Sequence, residues 1–416
     1  MSNSKHNLKC RICNNSNLST YLDLGNLPLA NNIGLSYGEA LNKEKFPLIV
    51  QFCNNCGLSQ LSEIVDPNIL FGHYVYRSGI SQGYISHCRN MAKEFKEKYL
   101  LKNKYKNLVI DIAGNDCTLL EQFKQEIPNI EILNIDPAKN LCEICEEKQI
   151  PVINDFLSIR VALEVVEKYG KAKLITATNV IAHVENICEF IVSCKILLEE
   201  DGVLVLEFPY LIDYIENIEY DTTYHEHLSY LSITPISKLC TKLDMKIIDV
   251  EKQNIHGGTV RVSITNKNSY YKVEDNVMKF LNIEELQGYN NINKYTGWAS
   301  SIGILIKDFS DNIIKLKEEG HKISGFAASA KGVTLLNSTK MNTTYIDYIY
   351  DQTPEKIGKF SPGTGIPIIS LTELIKNNPD YLVILAWNFA EEIMEKVKKL
   401  GYKGRFIIPI PSFSIL

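Results

Sequence analysis

The sequence predicts an α/β protein in three parts: a small cysteine-rich module, a doubly wound sheet with helices on both faces, and a second, Rossmann-like α/β domain. Three observations predict it. Two Cys-x-x-Cys pairs stand within the first seventy residues, and from Asn107 short apolar runs alternate with helical patterns. After residue 301 that alternation begins again. A chain of 416 residues also exceeds one ordinary core, so several domains are expected. They are placed at about 1–70, 71–300 and 301–416.

Composition narrows the class. With 45% hydrophobic and 22% charged residues, the chain is globular and not disordered. No apolar run is long enough to cross a bilayer. Met1–Cys10 is polar and lacks the apolar stretch of a signal peptide, so a cytoplasmic location is expected. Net charge is −5 with both signs interleaved, which argues against nucleic acid as a partner. Eleven cysteines, an odd number, argue against a disulfide framework and for metal ligation plus buried thiols.

The elements follow in order. A charged helix is expected over about 82–99. Strand-like runs come at Leu108–Ala113, Ile130–Asp136, Pro151–Asp155, Lys173–Val180 and Gly202–Pro209, separated by patterns such as CTLLEQFKQE and ALEVVEKYG. Strands alternating with helices mean a parallel sheet covered on both faces. MKIIDVEKQ and GTVRVSITN lack a long helix between them and suit an antiparallel pair closing one edge. A long amphipathic pattern then runs to Lys317. Beyond it KISGFAAS, TYIDYIYD, YLVILAW and RFIIPIP read as strands.

Cys10 and Cys13, with Cys53 and Cys56, form two knuckles about forty residues apart. Each turn aims two thiolates at one point, and together they complete a tetrahedral four-sulfur site for Zn2+. With every position filled by cysteine the metal is structural. Unrelated pairs of buried or redox thiols are the alternative.

LVIDIAGNDCTLL sets Asp111 at the end of a strand, then a small-residue turn (Ala113, Gly114, Asn115) and a helix opening at Thr118. In a doubly wound sheet this is where an adenosine cofactor binds. About 25 residues on, Asp136 is spaced to accept from ribose hydroxyls. Asp155 and Phe156 follow the third strand, where a polar group and a ring can bracket adenine, and Asn179 follows the fourth. A GxGxxG phosphate cradle is absent, which weakens NAD as the cofactor. A turn that binds nothing is the plain alternative.

Tyr224, His225, Glu226 and His227 lie in one run after the fifth strand, on the rim where α/β ligands sit, and His183 follows the fourth strand over the same rim. Each histidine alone reads as an ordinary hydrogen-bonded group, and an H-x-H metal pair is a further option. Their clustering favours proton transfer, because imidazole titrates near neutrality.

With these motifs in view the chain resembles the sugar C-methyltransferase family of deoxysugar biosynthesis. The resemblance runs through CRIC, CNNCGLSQL, VYRSGISQGY, DIAGNDCTLL, NVIAHV, YHEHLSYLS, NIHGGTVRV, SAKGVTLLN, KFSPGTGIPI and LAWNFAEEI, essentially the whole chain. It implies a zinc module, a class I methyltransferase domain binding S-adenosylmethionine, and a C-terminal domain holding a nucleotide-linked keto sugar. The implied reaction is C-methylation beside the ketone of an NDP-4-keto-deoxyhexose, commonly at C3. His227 would be the base, with Tyr224, Glu226, His183 and Tyr76 in support and Glu226 orienting an imidazole. Ser329 and Lys331 in GFAASAKG, together with Lys356, Lys359 and the turn Pro362–Thr364, would face the diphosphate. His256 and Arg261 would sit between the domains, and the family suggests a monomer.

The chain departs from its relatives where they favour glycine at Ala113 and Cys117, and a Gly-Ala-Pro-Ala pattern at Phe326–Ser329. Alanine keeps the turn if its φ stays negative, and Cys117 would add bulk near the methionine moiety. A non-catalytic sugar-nucleotide-binding protein, or a methyltransferase for another acceptor, are the competing functions.

Overall fold

Seven strands form the central sheet of the computed structural model, which describes residues 3–71, 77–100, 107–253, 255 and 258–416. Their order is Met245–Gln253, Thr259–Asn266, Leu198–Pro209, Ala172–Thr178, Leu108–Ile112, Glu131–Ile135, Val152–Ile153. The last five are parallel, and the first two are the expected antiparallel pair at one edge. The strand Leu108–Ile112 is buried at every position because helices cover both faces. Its neighbour Ala172–Thr178 marks the point where the connections diverge, so a crevice opens above their C-terminal ends.

The first seventy residues fold on a sheet that composition did not reveal. In Lys45–Cys53 the residues Phe46, Leu48, Val50 and Phe52 alternate inward, the period of a half-buried strand. It pairs with Leu18–Pro28 on one side and Ser59–Leu61 on the other. The fourth strand, Ser229–Tyr230, comes from far along the chain and pairs antiparallel with Ser59–Leu61. The zinc module and the middle domain therefore share one sheet.

The helix Ile292–Glu318, 27 residues long, continues through position 300. Its buried stripe Tyr295, Trp298, Ile302, Leu305 and Phe309 recurs at helical spacing. Tyr295 packs on Tyr21 and Phe52 of the module, and Trp298 on Tyr214 of the middle domain. Aromatic surface thus glues three segments together.

The C-terminal sheet has six strands in the order Ile368–Ser370, Ile349–Asp351, Ile323–Phe326, Tyr381–Ile384, Arg405–Ile408, Ser414–Ile415. Five are parallel and the last is antiparallel. The turn Pro362–Thr364, expected at a diphosphate, docks on the zinc module instead. Gly363 donates its N–H to Ala40 O at 2.8 Å, and Gly34 bridges Phe360. A Cβ on Gly363 would meet Asn337 Oδ1 at 2.1 Å, and its φ is 76°, so glycine is required there. No helix among the described residues is long and apolar enough to cross a membrane.

Candidate active site

A crevice of about 890 Å3 lies where the three parts meet, within the size range of small-molecule sites. The loop after the first central strand forms its floor. Asp111 is 1% exposed. Burial raises its carboxyl to about 7, and Thr176 Oγ1 donates to it at 2.7 Å. A Cβ on Gly114 would fall 2.6 Å from Asp111 Oδ2 and 2.8 Å from Asn134 Oδ1, so only glycine fits. Around it Ala113, Asn115 and Cys117 have φ of 51°, 54° and 63°, a conformation that costs about 1–2 kcal/mol for each L-residue. The expectation of negative φ at Ala113 is thereby corrected. Backbone bonds hold the loop: Ala113 N–H to Ile135 O at 2.7 Å, and Asn115 N–H to Asp136 Oδ2 at 3.0 Å.

Cys117 is corrected as well. Its side chain is fully buried and bridged to Cys145 in the helix Lys139–Glu147, so it packs beneath the loop and adds no bulk to the crevice. That bridge is also one more disulfide than the cysteine count suggested.

Asp136 lines the crevice, and burial raises its carboxyl to about 6. Thr118, Phe156 and Asn179 line it too. Asp155 does not. It is half-buried outside the crevice, where its carboxylate pairs with Arg160 and caps the Phe156 N–H. Among the wall residues with no role assigned from the sequence are Ser78, Ser81 and Tyr84. The turn carrying Ser78 is pinned to the loop, with the Ser78 N–H on Asn115 Oδ1 at 3.1 Å and the Gly79 N–H on Asp116 Oδ2 at 2.9 Å. The run VYRSGISQGY was the available signal. Tyr76 and His256 lie outside the described residues.

The histidine run forms the roof. His227 Nδ1 lies 2.9 Å from Thr222 O, which can only accept. The proton therefore sits on Nδ1, and Nε2 keeps its lone pair. The Tyr224 hydroxyl meets that Nε2 at 2.9 Å. His183 Nδ1 likewise donates to Glu226 O at 2.6 Å, and the two imidazoles stand with centroids 5.0 Å apart. Burial, and then the neighbouring His183, push His227 well below the ordinary imidazole range; burial lowers His183 as well. Both rings stay neutral at neutral pH. A proton acceptor lowered in this way predicts an acid limb of kcat below pH 6.5, the unperturbed histidine value. A pH–rate profile falling off at or above that value would put the base elsewhere.

Glu226 is placed differently from its expected role. Its carboxylate turns away from both imidazoles and accepts from Asn31 Nδ2 at 2.7 Å, while only its main-chain carbonyl holds His183. His225 also points into the module, where its ring packs on Phe46 and Nε2 reaches Phe46 O at 3.1 Å.

The C-terminal domain closes the crevice. Ser329 caps the helix Ala330–Ser338 by accepting from the Gly332 N–H, and Lys331 projects from its first turn. Lys331 Nζ lies 3.0 Å from Glu219 Oε2 and 4.8 Å from the centre of the Trp387 ring. Gln352, Asn388, Phe389 and Lys396 complete this wall; LAWNFAEEI carried two of them unassigned. Lys359 is not among the lining residues, and Lys356 is spent on Ala328 O at 2.7 Å. Arg261 is corrected too. It is 4% exposed inside the strand Thr259–Asn266, with Nε on Glu207 Oε1 and Nη1 on Glu94 Oε2, each at 2.7 Å. Burial disfavours the charge on Glu207, but His87 and Arg261 hold its carboxyl below the usual range. The guanidinium neutralises a core carboxylate and cannot reach a ligand.

In the module the four sulfurs of Cys10, Cys13, Cys53 and Cys56 lie within 4.8 Å of one another. Cys10 and Cys56 approach to 3.4 Å, and Cys13 and Cys53 to 3.5 Å. Zn–S bonds of about 2.3 Å in a tetrahedron place sulfurs close to these separations. Hydrogen bonds from Cys10 and Cys56 pull the Cys53 thiol down, and contacts with Cys10 and Cys53 push the Cys56 thiol up. A dication would stabilise all four thiolates at once. The residues fit the metal.

Three family descriptions match in succession: a putative zinc binding domain over residues 10–71, a methyltransferase domain over 84–250, and a C-methyltransferase C-terminal domain over 254–411. The C-methyltransferase NovU of Streptomyces niveus is 30% identical over 404 residues, 97% of this chain and 95% of that protein. Among solved structures, the plantazolicin methyltransferase BpumL with SAH is 15% identical, covering 43% of this chain and 84% of its own, with a TM-score of 0.34. The magnesium protoporphyrin IX methyltransferase ChlM of Synechocystis PCC 6803 with bound SAM is 13% identical over 44% of this chain and 80% of its own, with a TM-score of 0.33.

Proposed function

We propose that this chain, which belongs to the C-methyltransferase family defined by those three domains, methylates the carbon beside the ketone of an NDP-4-keto-deoxyhexose, at C3, with His227 as the base. It is an S-adenosylmethionine-dependent C-methyltransferase; the sugar, the position and the base are the proposal. One observation carries it: the unprotonated Nε2 of His227 stands on a crevice that also reaches the loop at Gly114 and the helix carrying Lys331.

A ketone acidifies the adjacent C–H, so a neutral imidazole can take that proton on Nε2. The Tyr224 hydroxyl, already directed at this nitrogen, is placed to donate to the enolate oxygen that develops. S-adenosylmethionine, when bound, supplies a methyl group on positively charged sulfur. Asp136 would hold its ribose and Phe156 its adenine, and the floor at Gly114 lets the cofactor approach the backbone closely. The enolate carbon would take that methyl group, the C–C bond forming as the S–CH3 bond breaks. His227 then returns its proton to solvent, and Leu70 and Phe71 of the module give the crevice an apolar wall.

Lys331 and the N–H groups at the start of Ala330–Ser338 suit the diphosphate. Replacing Lys331 with methionine is expected to raise KM for the nucleotide sugar on the order of tenfold to a hundredfold, as loss of one charge-assisted contact does. Affinity for S-adenosylhomocysteine should hold. Steady-state kinetics check this, and an unchanged KM would move the diphosphate elsewhere. For the function itself, the protein is incubated with labelled methyl donor and a panel of NDP-4-keto sugars.

A further inference from the structure

We infer that Asn31 of the zinc module is a positioning residue for methyl transfer, acting through Glu226 to set His183 and His227. The inference rests on the reading above, in which the run Tyr224–His227 carries the chemistry. Glu226 occupies the one position between His225, fixed to the module, and His227, fixed to the crevice. Its backbone carbonyl takes the His183 Nδ1 proton at 2.6 Å, so the orientation of that peptide sets the ring. Its side chain is held at the far end by Asn31 Nδ2 at 2.7 Å. Phe71, also from the module, meets the His183 ring edge-on at 5.6 Å.

Further ties run along the same seam. The Leu61 N–H donates to Leu228 O at 2.9 Å, and Ser229 pairs with Gln60 in the shared sheet. The catalytic run is thus stitched to the module on both sides of His227. The Asn31 side chain can be altered without touching a backbone ladder or a sulfur ligand. Glu226 is 4% exposed, and a carboxyl so placed needs its donor. Burial raises it to about 7, and the Lys356 ammonium opposes that rise. With the donor gone, Glu226 is expected to swing toward Lys356, carrying its carbonyl away from His183.

The test is a swap. Assayed well above pH 7, where Glu226 is ionised, Asn31→Ala and Asn31→Asp each lack the donor, and the second sets two carboxylates against each other. Asn31→Asp with Glu226→Gln reverses donor and acceptor and restores the bond. Both single variants are expected to lose kcat on the order of tenfold to a hundredfold, the effect of misplacing reacting groups by about an ångström. KM for both substrates and heat of S-adenosylhomocysteine binding should stay within about threefold, and the double variant should recover kcat. A second readout does not need turnover: the His183 Nδ1 proton resonance should be lost in Asn31→Ala and return in the swap. Full kcat in Asn31→Ala with that resonance intact overturns the inference, as does a swap no better than Asn31→Asp. Absence of C-methylation by the unaltered protein would count against the function instead, and the resonance would still decide the role of Asn31.

Discussion

Replacing His227 with alanine is expected to lower methyl transfer by about 10²–10⁴-fold, the contribution of a well-placed base, while S-adenosylhomocysteine binds within about twofold of normal. The reason is separation of roles. The cofactor floor is built by Asp111, Gly114, Asn115 and Asp136, held by bonds to one another and to the central sheet. His227 belongs to the roof and is held by Thr222 and Tyr224. Substrate incubated in D2O with S-adenosylhomocysteine should exchange the hydrogen beside its ketone in the unaltered protein and not in the variant. Exchange that persists would assign the base to Tyr224 or His183, the other proton-bearing groups on the same roof.

The second large effect concerns the metal. Removing zinc, or replacing Cys53 with serine, is expected to unfold the first seventy residues and with them abolish turnover. Structural zinc supplies about 10–16 kcal/mol of folding free energy in small modules. Four buried or half-buried thiols lie within 4.8 Å of one another, and thiolates held that close repel unless a cation sits between them. Loss should reach the crevice because Ser229–Tyr230 belongs to the module's sheet and Phe71 touches His183. Metal analysis, circular dichroism and hydrogen exchange in Lys45–Cys53 before and after chelation are the readouts. A Cys53→Ser protein that melts at the original temperature with the strand still protected would remove zinc from the account.

How far the sequence could be read depends on where each signal lies. The parallel strands were legible because their apolar runs are continuous and bounded by helices, and the four-cysteine site because ligand spacing is a local constraint. The module's sheet was not, since its last strand comes from residues 229–230 and its first pair is interrupted by register shifts near Thr20 and Asp23. Arg261 was expected between the domains, and nothing local in GTVRVSITN marks it as an internal charge. In the fold that strand is buried on both sides, and its arginine is balanced by Glu207. For Glu226 it was the resemblance that implied an imidazole's partner. Neighbours in a tight loop project to different sides, and only the fold shows that its carboxylate faces Asn31. Asp136, Gly114, His183, Tyr224 and His227 were expected on one rim because strand ends in a doubly wound sheet converge there, and all five line the crevice.

One measurement bears most directly on the central claim. The protein is incubated with S-adenosylmethionine carrying a 13C methyl group and with NDP-4-keto-6-deoxyhexoses, and the product is read by NMR. The expected product carries the labelled methyl on the carbon beside the ketone, at C3. Label on oxygen or nitrogen, or unlabelled sugar recovered from a protein shown to bind both substrates, would contradict it.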